Sequence, residues 1–175
     1  MSVRPHPAQP TVVERVLRPG EFAVGDAGTR MRTLLGSCVS IVLWHARFRV
    51  GAMSHFLLAA RGQAAHGPLD ARYGDEALTL MIAGLARYGV APADCEAKIF
   101  GGGNMFPDQV HLGPLHVGRR NGEAAREMLR GRGIAVASEN LFGVGHRQIV
   151  FEVATGDVWV RQSGVPPGFS PLEPR

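Results

Sequence analysis

The run Val39-Ser-Ile-Val-Leu-Trp44 constrains this chain more than any other feature. It is almost wholly apolar and is bounded by Gly36 on one side and a polar turn on the other, so it reads as a buried strand. Ala46 to Phe48 is a tight connection, and Arg49 to Leu58 is a second strand candidate. The two segments therefore form a β-hairpin, and the remaining elements have to pack around it.

Glu21-Phe-Ala-Val24 reads as a short first strand, followed by a turn-rich loop from Gly25 to Thr29. Residues 59–69 form a loop. Asp70 offers an N-cap, and behind it Tyr73, Ala77, Leu78, Met81, Leu85 and Tyr88 recur at helical spacing, with Gly89 placed as a C′ glycine. The apolar stripe of that helix should pack on a sheet. Ala97 to Phe100 reads as a strand ending in Gly101-Gly102-Gly103. Asn121 stands as the N-cap of a second helix through about Arg130, and Ile134 to Ser138 as a further strand. Gln148 to Thr155 and Val158 to Gln162 pair around Gly156-Asp157, a loop suited to a type II′ turn.

Hairpins outnumber βαβ alternations, which predicts an α+β layered sandwich of mostly antiparallel β-sheet with two long helices. The expected organisation is a flexible N-terminal arm at 1–18, one domain at 19–162 and an irregular proline- and glycine-rich tail at 163–175. At 175 residues, 45% hydrophobic and 19% charged, the chain can bury a core without disulfide staples.

Composition removes several functions. Two cysteines, Cys38 and Cys95, make no disulfide framework. The net charge of +4 is scattered, with no basic run interleaved with aromatics, which argues against nucleic acid. No apolar run approaches the roughly 20 residues that span a bilayer, and Met1 to Pro10 lacks the apolar segment of a signal peptide. A cytoplasmic location follows, where thiols stay reduced.

The chemistry centres on Thr33-Leu-Leu-Gly36-Ser37-Cys38. Gly36 allows close backbone approach or φ > 0 just ahead of Cys38, which places the thiol at a strand mouth with backbone N–H groups at hand for an oxyanion. A cysteine packed as a small hydrophobe fits the same local sequence. His55 lies on the paired strand, where an imidazole within reach of the thiol could take its proton. His45 is a rival base but sits at the hairpin turn. His66, His111, His116 and His146 occupy loop-like stretches. There is no Cys-x-x-Cys or His-Glu-x-x-His pattern, so no metal is expected. Gly101-Gly-Gly-Asn104 lacks the Lys-Ser/Thr that a phosphate loop requires, so Gly102 and Asn104 read better as a turn lining a pocket, or the glycines merely as a crowded backbone crossing. Ser37 lacks a Gly-x-Ser-x-Gly elbow, and the neighbouring thiol is the stronger nucleophile.

These blocks also carry a resemblance. Thr33-Leu-Leu-Gly-Ser-Cys38-Val39, Gly51-Ala-Met-Ser-His55-Phe56, Arg72-Tyr73-Gly-Asp75, Ala97-Lys98-Ile-Phe-Gly-Gly-Gly-Asn104-Met105-Phe106, Gly118-Arg-Arg-Asn121, His146-Arg147-Gln-Ile-Val-Phe151 and Thr155-Gly156 occur in order. Together they resemble the chemoreceptor glutamine deamidase family, CheD. Arg119 stands where that family usually has glutamate, and Leu141-Phe142-Gly143 where a Gly-Gly pair is commoner.

The resemblance implies a fold like the deamidating domain of cytotoxic necrotizing factor toxins. It implies a cysteine–histidine pair at Cys38 and His55, joined by a threonine for which Thr33 is the nearest match. Beside them, Gly36, Ser37, Gly102 and Asn104 are candidates for binding substrate or lining the pocket. It implies hydrolytic deamidation of glutamine in methyl-accepting chemotaxis receptors through a cysteine thioester, without a cofactor. A CheC-type phosphatase is an implied second partner. Two rivals share these residues: a binding module that regulates such a phosphatase, and a cysteine peptidase or other amidase.

Overall fold

The apolar run Val39–Trp44 lies in a strand, β4 (Val39–His45), whose two faces are buried against different layers. Val39, Ile41 and Leu43 point into a core shared with the helices, whereas Val42 points into a second core shared with another sheet. Burial on both faces is why the run lacks the polar alternation of a half-exposed strand.

The computed structural model describes residues 11–62, 66–105, 117–164 and 173–174. Along the chain come β1 (Val13–Val16), β2 (Phe22–Gly25), β3 (Thr29–Leu35), β4, β5 (Val50–Ser54) and α1 (Gly74–Ala86). They are followed by β6 (Glu96–Gly101), α2 (Val117–Gly131), β7 (Ala135–Leu141), β8 (His146–Glu152), β9 (Val158–Ser163) and β10 (Glu173–Pro174). The strands make two five-stranded sheets, ordered β1-β3-β8-β9-β10 and β2-β5-β4-β6-β7. Among the described strands, only β1/β3 and β6/β7 pair in parallel. The architecture is α+β in three layers: sheet, sheet, and two helices on the outer face of the second sheet.

The inter-sheet core is built by Met31, Leu35, Val42, Met53, Phe100, Ile149 and Phe151. The helical core is built by β4, β5 and β6 against Ala77, Leu78, Met81 and Leu85 of α1 and Ala125 and Leu129 of α2. Phe56 is fully buried there. Truncating an aromatic in such a position typically costs about 3–5 kcal/mol.

Several expectations are corrected. The arm at 1–18 is not loose throughout, because Val13–Val16 forms β1 beside β3 and Leu17 is buried. Residues 1–10 lie outside the described residues, as does most of the 163–175 tail, in which Ser163 ends β9 and Glu173–Pro174 pairs with β9. Residues 29–35 form their own strand, with Met31, Thr33 and Leu35 inward and Arg32 and Leu34 outward. Asp70 caps no helix. It binds Arg72 through its carboxylate, and α1 starts after Tyr73 without a side-chain cap. Asn121 does not begin α2, which starts at Val117. The β8–β9 connection is longer than a two-residue turn: Gly156 N–H donates to Glu152 O, and Glu152 N–H to Asp157 O.

Candidate active site

The two strands of the central hairpin set the site. Val39 and Phe56 exchange backbone hydrogen bonds of 3.1 and 3.0 Å. That register puts His55 opposite Ser40, and makes Cys38 its diagonal neighbour on the same face of the sheet. Such diagonal pairs lie about 7–8 Å apart at the backbone, within reach of an imidazole. The face they share is the one turned toward the first sheet, since Val42 and Met53 of the same alternation lie in the inter-sheet core. The ladder is spliced next to this point: the Ser54 hydroxyl accepts from Ile41 N–H at 3.2 Å and donates to Ile41 O at 3.4 Å.

Thr33 reaches His55 from the opposite sheet. Its Oγ1 lies 2.7 Å from His55 Nδ1 and donates to Leu17 O at 2.8 Å. The hydroxyl has a single proton and Leu17 O can only accept, so His55 Nδ1 must carry the hydrogen it shares with Thr33. The imidazole is therefore held as the Nδ1–H tautomer. Its Nε2 lone pair is left buried and with no protein partner among the described residues. Thr33 is 3% exposed and His55 2% exposed, so this network is shielded from water.

A turn at Leu17 to Glu21 braces the histidine from behind. Gly20 N–H donates to His55 O at 2.7 Å, and His55 N–H donates to Glu21 O at 2.9 Å. The Glu21 carboxylate accepts from Arg18 N–H at 2.8 Å and so closes the turn. Burial pulls the His55 pKa down to about 4, with the Glu21 carboxylate opposing it. Burial pushes the Cys38 thiol up, opposed by its own backbone N–H. At neutral pH Cys38 is thus a thiol and His55 a neutral imidazole with a free lone pair, protonation states that suit general-base catalysis.

Cys38 is half-buried between the end of β3 and the start of β4. Its carbonyl accepts from Gly102 N–H at 2.9 Å, and the Gly36 carbonyl accepts from Gly103 N–H at 2.9 Å. Gly101 has φ +112, and a Cβ there would come 2.2 Å from Cys38 O. The glycine run is therefore a close backbone crossing beneath the cysteine. Gly36 does not adopt positive φ; its role is close approach, with a Cβ position 3.0 Å from Met105 Sδ.

Thr33 and His55 are brought into contact, and the strand register sets Cys38 diagonally across from His55, with Gly36, Ser37 and Gly102 in the adjoining backbone. Asn104 lies apart. It exchanges backbone hydrogen bonds with Gly143 and Gly145, and with Gly102, Arg119 and Phe142 lines a separate cavity of about 220 Å³. A larger groove of about 910 Å³ runs along Leu17 to Ala23 and Pro68 to Ala71, outside the bracing turn, and Cys38 does not line it. His45 accepts from Phe48 N–H in the hairpin turn. His111 and His116 lie outside the described residues. Among the described residues, no cluster of three or more His, Cys, Asp or Glu side chains could hold a metal, and no helix is long and apolar enough to cross a membrane.

Nothing in the sequence pointed to Leu17, because a backbone carbonyl has no residue-type signature. Nor did anything in it point to Arg147, a fully buried guanidinium with no carboxylate partner among the described residues. Arg147 donates to Asn140 O at 2.5 Å, Asn140 Oδ1 at 2.6 Å and Phe142 O, and burial pulls its pKa down to about 10. It pins the loop whose Phe142 N–H in turn donates to Gly101 O.

Comparison with known proteins places this chain in a family. A family model described as CheD chemotactic sensory transduction matches residues 57–162. A protein of Albidiferax ferrireducens named "Probable chemoreceptor glutamine deamidase CheD 2" is 60% identical over 86% of this chain and 87% of its own length. One of Dechloromonas aromatica, "Probable chemoreceptor glutamine deamidase CheD 3", is 42% identical over 87% of this chain and 90% of its own. Among solved structures, the hypothetical protein YfiH of Bacillus licheniformis overlays with a TM-score of 0.36 at 15% identity, covering 67% of this chain and 47% of that one. That likeness is too slight to carry an argument. The relatives and the family model agree along most of the length, and the chain belongs to the CheD family.

Proposed function

We propose that this chain is a chemoreceptor glutamine deamidase that converts glutamine side chains to glutamate, with Cys38 as nucleophile, His55 as general base and acid, and Thr33 as the residue that orients His55. The observation that carries the reading is the Leu17–Thr33–His55 relay, which fixes the tautomer and leaves Nε2 free toward the face that holds Cys38.

In the proposed reaction Nε2 takes the Cys38 proton as the sulfur attacks the glutamine amide carbon. Backbone N–H groups near Cys38 receive the oxyanion. The tetrahedral intermediate collapses as Nε2–H protonates the departing nitrogen, releasing ammonia and leaving a thioester. Nε2 then takes a proton from water, which attacks the thioester, and collapse regenerates the Cys38 thiol with a glutamate product. No cofactor enters any step. Gly36, Ser37 and Gly102 support the Cys38 backbone beside the substrate, and Asn104 shapes the neighbouring cavity.

The same reading extends to the cytoplasmic helical region of the receptors as the surface acted on, and to the cytoplasm as the place of action. It extends to a CheC-type phosphatase as a second partner, and to a fold shared with the deamidating domain of cytotoxic necrotizing factor toxins. The resemblance of the sequence blocks supports these points. The test is incubation of the full chain with a cytoplasmic receptor fragment, following ammonia release and the mass of each glutamine-containing peptide. Conversion of particular glutamines to glutamate is expected, and an unaltered fragment would contradict the assignment.

A further inference from the structure

Asn121 occupies an unusual place for an amide. It lies in the second turn of α2, 2% exposed, on the same stripe as the buried Ala125 and Leu129. An apolar residue would be expected there, because an unpaired amide in such a core is costly and asparagine is a poor helix-interior residue. The amide is not unpaired. Its Nδ2 donates to Leu57 O at 2.7 Å and to Ser37 O at 3.4 Å.

Those two carbonyls flank the site from opposite strands. Ser37 immediately precedes Cys38, and Leu57 follows His55 by two residues. Backbone pairing between the strands is thin here. Val39 and Phe56 make a single bridge, the Ser54 hydroxyl replaces the ladder at Ile41, and Leu57 N–H turns away to Arg72 O. The register still sets Cys38 against Leu57, with no backbone hydrogen bond joining them among the described residues. The two hydrogens of one amide span that gap.

We propose that Asn121 is a positioning residue of the helical layer which, by donating to both Ser37 O and Leu57 O, holds the strand end bearing Cys38 against the strand end bearing His55. It touches neither the thiol nor the imidazole, and it acts from the face of the sheet opposite to theirs. The inference rests on the Cys38–His55 reading and names a further residue for the same reaction. Its role is independent of Thr33, which orients the histidine from the first sheet, whereas Asn121 sets the separation of the two strand ends.

The test is the rate of iodoacetamide alkylation of Cys38 as a function of pH, read from the mass of the Cys38 peptide, together with thermal melting, on the full chain. Asn121→Ala and the milder Asn121→Ser, whose single short hydroxyl cannot span both carbonyls, are compared with Leu129→Ala. That control removes core volume from the same helix without touching either carbonyl. Both Asn121 variants should slow alkylation at pH 7 by about tenfold and move the midpoint of the pH profile, while Leu129→Ala lowers the melting temperature and leaves the profile in place. An unchanged profile in a folded Asn121 variant, or an equal change in Leu129→Ala, overturns the proposal. His55→Ala separates the two levels. If it leaves the profile unchanged the dyad reading itself fails, and if it moves the profile while Asn121→Ser does not, only the role of Asn121 fails.

Discussion

Thr33 and His55 meet across the two sheets, with Thr33 Oγ1 2.7 Å from His55 Nδ1 and the threonine proton committed to Leu17 O. The histidine belongs to the sheet covered by helices and the threonine to the outer sheet. Proper packing of one sheet on the other is therefore a condition for the correct tautomer. Thr33→Val keeps the shape and removes the acceptor, so it should lower kcat by about 10–100-fold, the equivalent of one lost buried hydrogen bond, with KM little changed. Thr33→Ser retains the hydroxyl and should recover most of the rate. Steady-state deamidation kinetics of the two variants check this.

The buried imidazole predicts a pH dependence with a definite sign. His55 has a pKa of about 4 in the folded chain, below the ordinary value of 6.5. Between those values the unfolded chain binds a proton that the folded chain refuses, so stability falls as pH drops from about 6.5 and levels off below about 4. The loss attributable to this group is at most about 3 kcal/mol. Urea denaturation at pH 7 and pH 4.5 should show a smaller acid loss in His55→Gln than in the wild type. The acid limb of kcat/KM should have its midpoint nearer 4 than 6.5.

Arg147 supplies a stability prediction away from the chemistry. Its buried guanidinium satisfies the carbonyls of Asn140 and Phe142 in a half-buried loop, and Phe142 sits at φ +67. Arg147→Met removes the charge but strands those acceptors, so it should cost about 2–4 kcal/mol by urea denaturation. Because that loop holds Gly101 through Phe142 N–H, deamidation should weaken as well.

Gly101→Ala tests the backbone crossing. With φ +112 and a Cβ position 2.2 Å from Cys38 O, an added methyl must displace the residue that carries the thiol. Activity should fall by at least about tenfold, with destabilisation of about 1–3 kcal/mol from backbone strain alone. Gly131→Ala, which has open space around its Cβ position, is the matched control and should retain the wild-type rate.

The hairpin was legible because both its strands are apolar and its connection is short, and its register alone puts Cys38 and His55 on one face. The two helices were legible from periodicity, but their starts were not. Asp70 has the chemistry of a cap yet is taken by Arg72, and Asn121 has the same chemistry yet is taken by the Ser37 and Leu57 carbonyls. Strand β3 was not assigned from the sequence, since Gly36-Ser37 is a weak break between it and the run that follows. Thr33 could be reached only through the family resemblance: in sequence it is near Cys38, whereas its contact is with His55 on another sheet. Leu17 lay within a stretch read as a loose arm and acts through its main chain, so nothing in its residue type announced it.

The central claim is that the Cys38 sulfur attacks the glutamine amide. Its most direct test is deamidation of a cytoplasmic receptor fragment by Cys38→Ala beside the wild type, with circular dichroism confirming that both are folded. The account predicts a loss of roughly 10³-fold or more in ammonia release for the variant. Turnover by Cys38→Ala at the wild-type rate would contradict it.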